Sequence, residues 1–215
     1  MSVLINFFKI IDRSAAVRAL SVALVLVLTL GICGFDAKCD SIRENVLRLH
    51  ILANSDDEED QQLKFKVRDA LLEVSEKVFS VCLNEEEAAA AAAESLDLLQ
   101  LTAQQTVYEL GYSYPVTVEI ADTWFETRHY ENFALPAGTY EALRVVIGKG
   151  EGHNWWCVMF PAVCLPAAKA VNSGFSDVLD DGTVEIVESP KRYKAQFKVV
   201  EIFEKTRSKL AKWFG

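Results

Sequence analysis

Residues 19–35 form an uncharged apolar run of 17 residues, preceded by Lys9, Arg13 and Arg18. No other feature restricts the chain more. The run exceeds an ordinary signal-peptide core and just reaches the length of a membrane-spanning helix. The basic flank predicts that the N-terminus stays cytoplasmic and that everything after Asp36 is exported. Gly31 and Cys33 offer small residues at the −3 and −1 positions of a cleavage site, so a removed signal and a retained anchor both stay open. Ile32 is too large for a lipoprotein site at Cys33. The expectation is a signal or anchor over residues 1–38 and one exported domain over residues 39–215.

Charge divides along the same boundaries. The total of −9 separates into +2 on residues 1–35, +6 on residues 191–215 and −17 on the stretch between them. An acidic body excludes nucleic acid as a natural partner for it. About half of the residues are hydrophobic, which places the body among globular chains.

Within the body, Leu47, Leu49 and Ile51 alternate with Arg48 and His50, the period of a half-buried strand over residues 46–53. Ser55-Asp56-Asp57-Glu58 has capping-box spacing, and Leu63, Val67, Leu71, Val74 and Val78 continue at helical spacing. The acids at 56–60 suit the first turn of that helix. They lack the alternation and central glycine of a calcium loop. Asn84 with Glu87 repeats the cap, and one long helix is expected over residues 85–110, ended by Gly111 at C′.

Strands follow at residues 116–120, 124–133, 140–147 and 154–160, the last two as a hairpin around a flexible Gly148–Gly152 tip. Asp180-Asp181-Gly182 reads as a turn within a loop or irregular hairpin over 175–188, and residues 191–215 as a basic amphipathic helix. That helix could pack on the sheet, lie on an anionic membrane or dock to a partner. The order predicts an α+β fold of two layers, an antiparallel or mixed sheet of about four to five strands packed against helices and preceded by the N-terminal hydrophobic helix.

The chemically densest segment is residues 150–164, with His153, Asn154, Trp155, Trp156, Cys157, Pro161 and Cys164. A nucleophilic Cys157 would need His153 or His50 as base, with Asn154 orienting it. His153 and Cys157 point the same way on a strand but stand about 13 Å apart, so they cannot touch unless the strand breaks. Export favours oxidised cysteines, and Cys157 and Cys164, with Pro161 between them, form a candidate disulfide. Five cysteines leave at least one unpaired. His50, His129 and His153 are too scattered for a metal site, and Gly148-x-Gly150-x-Gly152 precedes a strand where a phosphate cradle would need a helix. No catalytic residue, metal or cofactor is expected. On a strand, Trp155 and Trp156 face opposite sides, so one can enter the core while the other meets a partner. Burial of both under helices is the competing structural reading. His153, Asn154, Trp155 and Trp156 are the candidate partner contact.

Two segments are similar to one family. Leu47-Arg48-Leu49-His50-Ile51-Leu52-Ala53-Asn54-Ser55-Asp56, with Glu59 to Lys64 and Lys66 to Ala70 after it, resembles the start of the stage II sporulation protein R family. Leu135-Pro136-Ala137-Gly138-Thr139-Tyr140 through Gly148, and Gly152-His153-Asn154-Trp155-Trp156-Cys157-Val158-Met159-Phe160-Pro161, resemble its second half. The resemblance covers about residues 46–164. Glu126 stands where a proline is common, and the basic end is longer than the family pattern.

The resemblance implies an exported signalling protein, made in the forespore and released between the two membranes. There it would activate a membrane-embedded aspartic protease of the mother cell that processes the sigma factor E precursor. It implies no catalytic residues; no small-molecule substrate is expected, and membrane contact is expected through the N-terminal segment. The alternatives from other classes are an exported thiol hydrolase or redox protein using Cys157 and His153, and a structural module of the cell envelope.

Overall fold

In the computed structural model, which describes residues 13–161 and 174–214, a four-stranded mixed sheet has the strand β1 (Leu47–Leu52) in its interior. The chain divides into two compact units, Met1–Lys38 and Cys39–Gly215. Helix α1 (Arg13–Glu44) begins in the first. Its Ala15–Glu44 portion is long and apolar enough to cross a membrane by length and composition, which fits a signal or transmembrane segment. The rest of the architecture concerns the second unit.

After β1 come α2 (Glu58–Phe79), α3 (Glu85–Glu94) and α4 (Leu96–Glu109), then β2 (Val116–Phe125). A two-residue ladder, β3 (Arg128–His129) with β4 (Ala134–Leu135), precedes β5 (Gly138–Ile147) and β6 (Asn154–Phe160). A 3₁₀ turn (Phe175–Asp177), α5 (Asp181–Glu188) and α6 (Lys194–Phe214) complete the unit. The sheet order is β2-β5-β1-β6, with β1 parallel to β5 and antiparallel to β6. The expected β5–β6 hairpin is therefore absent. β1 separates the two strands, because its fully apolar odd face is better buried in the interior than at an edge.

Strand parity sorts the two faces. Leu47, Leu49 and Ile51 of β1, Leu143, Val145 and Ile147 of β5, and Cys157 and Met159 of β6 meet one helical layer. Leu63, Val67 and Leu71 of α2, Ala88 and Ala92 of α3, and Leu99, Ala103 and Val107 of α4 supply that layer. The alanines allow close approach of α3 where longer side chains would hold it off. The even residues Arg48 and His50 are buried on the opposite face, although their polarity suggested solvent. The β3–β4 arm and C-terminal elements lie on that side: Tyr130 reaches Arg48, His129 meets Phe197 of α6, and α6 contacts β5.

Several boundaries differ from the pattern-based expectation. The long helix over 85–110 is two helices hinged at Ser95 (φ −94°, ψ 8°), whose N–H still donates to Ala91 O at 3.0 Å. Serine is a weak helix former, and its single non-helical ψ turns the axis. The expected strand over 124–133 starts as a continuation of β2 and then breaks into the short β3. The turn at 180–182 is instead the start of α5: Asp180 accepts hydrogen bonds from Gly182 N (3.0 Å) and Thr183 N (3.2 Å) as an N-cap.

The capping box at 55–58 does not form. α2 starts at Glu58, and Ser55 Oγ donates instead to Asp60 at 2.7 Å. Asn84 does cap α3, accepting from Glu87 N at 2.9 Å. Gly111 (φ +85°) ends α4 as expected, with Tyr112 N donating to Val107 O and Gly111 N to Tyr108 O. Gln100 and Gln104 of α4 accept from the β2 amides of Val118 (2.8 Å) and Val116 (2.9 Å), covering that sheet edge. β6 is the other edge.

Candidate functional site

The loop that leads into β6 is held, not mobile. Gly148 (φ +59°) and Gly150 (φ +66°) occupy left-handed conformations that favour glycine. Gly148 N donates to Pro115 O (2.8 Å), Lys149 N to Asn54 Oδ1 (3.1 Å), Glu151 N to Asn54 O (3.3 Å) and Gly152 N to Ala53 O (2.9 Å). A flexible tip was expected. Instead the loop lies on the β1–α2 turn, and a Cβ on Gly152 would stand 2.1 Å from Ser55 O.

Asn54 joins this loop to α2, since its Nδ2 also donates to Asp60 Oδ2 at 2.7 Å. Asp60 is almost fully buried, which pushes its carboxyl up. Bonds from Ser55, Asn54 and Tyr114 outweigh that and leave its pKa below the ordinary value. One turn later, Lys64 donates from Nζ to Gln61 Oε1 (2.6 Å) and to the carbonyl of His153 (2.9 Å). Burial lowers the Lys64 pKa, with Asp56 opposing the shift. His153 is thereby fixed from two sides: its N–H donates to Asp56 Oδ1 at 2.6 Å, and its ring Nδ1 bonds the same oxygen. Those bonds hold the Asp56 carboxyl below its usual range. The His153 ring remains exposed.

Beyond His153 the two tryptophans diverge, as strand parity requires. Trp155 faces α2, where Phe65 meets it edge-on at 5.3 Å and the Arg68 guanidinium lies 4.6 Å from its ring centre. Trp156 faces the other way, near His50 (6.0 Å) and Phe125 (6.4 Å), with Arg128 4.0 Å over its ring. Neither is core-buried and neither projects freely: both are half-buried. Both indole Nε1 atoms are shielded and have no hydrogen-bond partner among the described residues. A cleft of about 460 Å³ opens here, lined by Asp56, Arg128, Glu151, His153, Asn154 and Trp156. Its lining is polar and apolar in about equal measure and carries both signs of charge. A second cleft of about 570 Å³ lies elsewhere, beside Arg43, Trp124 and Glu204.

Among the described residues, Cys157 does not meet His153 or His50. Cys157 pairs with Leu49 on the helix-covered face, whereas His50 pairs with Trp156 on the opposite face. Cys157 is buried and His153 is an exposed partner of Asp56. Burial also lowers the pKa of His50, against an opposing bond to Asn154. Cys164 lies outside the described residues, and with it the expected disulfide. Among the described residues no three His, Cys, Asp or Glu side chains gather as a metal site needs.

Sequence reasoning brought His153, Asn154 and Trp156 into the cleft but missed Asp56, Arg128 and Glu151. Asp56 read as a helix-dipole acid, and only the fold brings it to a partner 97 residues away. No local pattern could have shown this.

The comparisons cover this same region. Residues 43–170 match the model of the family described as Stage II sporulation protein R, which takes in every strand of the sheet and the cleft. The Stage II sporulation protein R of Bacillus subtilis (strain 168) is 37% identical over 123 residues, or 57% of this chain. That match covers 55% of the relative, so the chain spans about half the length of the curated relative it matches. No solved structure matches the chain. With more than half of its length on the family model, this chain belongs to the stage II sporulation protein R family.

Proposed function

We propose that the protein is an exported, non-enzymatic signal of sporulation. In this reading it crosses the forespore membrane and meets a membrane-embedded aspartic protease of the mother cell. That protease then processes the precursor of sporulation sigma factor E. Family membership supports the sporulation role, and the apolar α1 supports export or anchoring.

The observation that carries the contact site is the cleft at the start of β6. It joins a cation-stacked Trp156, an exposed His153 and the shielded Trp156 indole donor, which has no acceptor among the described residues. A partner that supplies that acceptor and completes the packing gains both a hydrogen bond and desolvated aromatic area, the usual composition of a binding hot spot. The bonds locking the Gly148–Gly152 loop keep this surface organised before binding, which lowers the entropic cost of association.

The test is precursor cleavage reconstituted with the protease and this protein. Trp156→Ala and Arg128→Ala are expected to lower activation at least tenfold at unchanged fold, on the scale of about 2 kcal/mol for a hot-spot residue. Cys157→Ser should lose stability rather than activity. Normal precursor processing in cells lacking this protein would sink the proposal.

A further inference from the structure

Helix α6 carries an apolar stripe that remains exposed to a large extent. Phe197, Val200 and Glu204 are buried among its described residues. Val199, Ile202, Phe203, Leu210 and Trp213 are between 41% and 79% exposed. At about 100° per residue these five, with Thr206, fall within an arc of about 100°, roughly opposite the buried residues. Such a width is that of a docking face, not of scattered surface hydrophobics.

Cations border the stripe. Lys198, Lys205 and Lys209 follow one flank and Arg207 the other. Lys205 and Lys198 pair with Glu201, Lys205 also reaches Glu126, and Arg207 pairs with Glu204, so the acids of this region lie toward the body. Residues 191–215 carry +6 while the stretch from Asp36 to Pro190 carries −17. An anionic surface therefore repels the body and attracts this one helix.

We propose that α6 is a second membrane-contact element, which lays its apolar stripe into the interface of an anionic lipid bilayer. Lysines border the stripe where a protein-protein interface would be depleted of them. Trp213 and Phe203 are side chains suited to headgroup depth. Charge complementarity favours lipid over an acidic protein, because the cations run along the length of the helix beside the stripe, as a flat charged surface requires. The helix lies beyond residue 170, where the family match ends, so the feature belongs to this chain's own C-terminal region. The inference is independent of the β6 cleft.

The experiment uses the full-length protein incorporated into two kinds of vesicle, phosphatidylcholine alone and phosphatidylcholine with an equal amount of phosphatidylglycerol. Each is made with and without brominated acyl chains. Subtracting the signal of Trp213→Phe isolates Trp213 from the other tryptophans. The expected result is quenching of Trp213 in the anionic vesicles only, weakened by salt. The docked-to-undocked ratio should fall about fivefold in Lys209→Gln, the share of one basic residue near such a surface. Ile202→Ser with Phe203→Ser should abolish quenching without changing the melting temperature, since both side chains are exposed. Equal quenching in the two vesicle types would assign it to α1 and overturn the proposal. So would an unquenched Trp213 whose helix gains amide-exchange protection only on adding the protease, which would give the stripe to a protein.

Discussion

Replacing Gly152 by alanine tests whether the loop into β6 is a fixed support. The added Cβ would stand 2.1 Å from the Ser55 carbonyl oxygen and 2.5 Å from its carbon, both backbone atoms. A carbon–oxygen contact needs about 3.3 Å, so the loop must withdraw from the β1–α2 turn by about 1 Å. That withdrawal breaks the bonds from Gly152 N to Ala53 O and from Glu151 N to Asn54 O, at 2.9 and 3.3 Å. Each lost bond costs about 1 kcal/mol, and displacing His153 from Asp56 adds a smaller amount. The sum is about 2–3 kcal/mol. For a chain of this size it lowers the melting temperature by about 4–12 °C. The φ of Gly152 is not in the left-handed region, so the whole effect must come from contact. Gly174→Ala is the control, since its nearest neighbour would be Ser176 Oγ at an ordinary 3.6 Å. Thermal unfolding followed by circular dichroism reads both. A Gly152→Ala protein that melts within about 1 °C of wild type would refute the locked loop, along with the pre-organisation argued for the cleft.

Three further outcomes follow from buried or crowded charges. Arg48 is fully buried between Phe125 (3.9 Å) and Tyr140 (5.0 Å), and its Nε and Nη1 find no acceptor among the described residues. Arg48→Met should therefore be at least as stable as wild type in urea unfolding, whereas Arg48→Ala should lose about 2–4 kcal/mol to the cavity. A loss above about 2 kcal/mol in the methionine variant would mean that the guanidinium is well compensated. Glu85 is raised to about 7 by burial and by the facing Glu141. Its folded pKa lies above the unfolded one, so its contribution is intact below the unfolded value and is lost as pH rises toward 7. Glu85→Gln should gain stability over wild type across that interval, and a constant difference at every pH would contradict the assignment. His50 has the opposite dependence. Burial lowers its pKa, so stability falls as pH drops below its unfolded value near 6.5, and His50→Phe should flatten that acid limb. An unchanged limb would show that another group controls it.

What could be read in the sequence was local, and what could not was set by distance along the chain. Gly111 and Asn84 marked helix ends because their chemistry acts within one turn, and the alternation in residues 47–51 identified a strand for the same reason. The same alternation gave the wrong environment for Arg48 and His50. Parity placed them on the second face, but only the β3–β4 arm and the C-terminal elements decide whether that face meets water. Strand order failed in the same way: β5 and β6 are close in sequence, yet β1 lies between them, about a hundred residues earlier in the chain. The cleft shows both halves of the lesson. Trp155 and Trp156 were divided between two faces by a period of two that any strand imposes, whereas Asp56 and Arg128 came to the site through long-range pairing. The Gly148–Gly152 loop looked flexible from its composition, but glycine is also the residue that lets two backbones approach within bonding distance. Here it serves that second use, because Asn54 binds the loop through both its side chain and its carbonyl. A surface held this way presents His153 and Trp156 in one arrangement before any partner arrives. That is the physical requirement of the contact role proposed for this cleft.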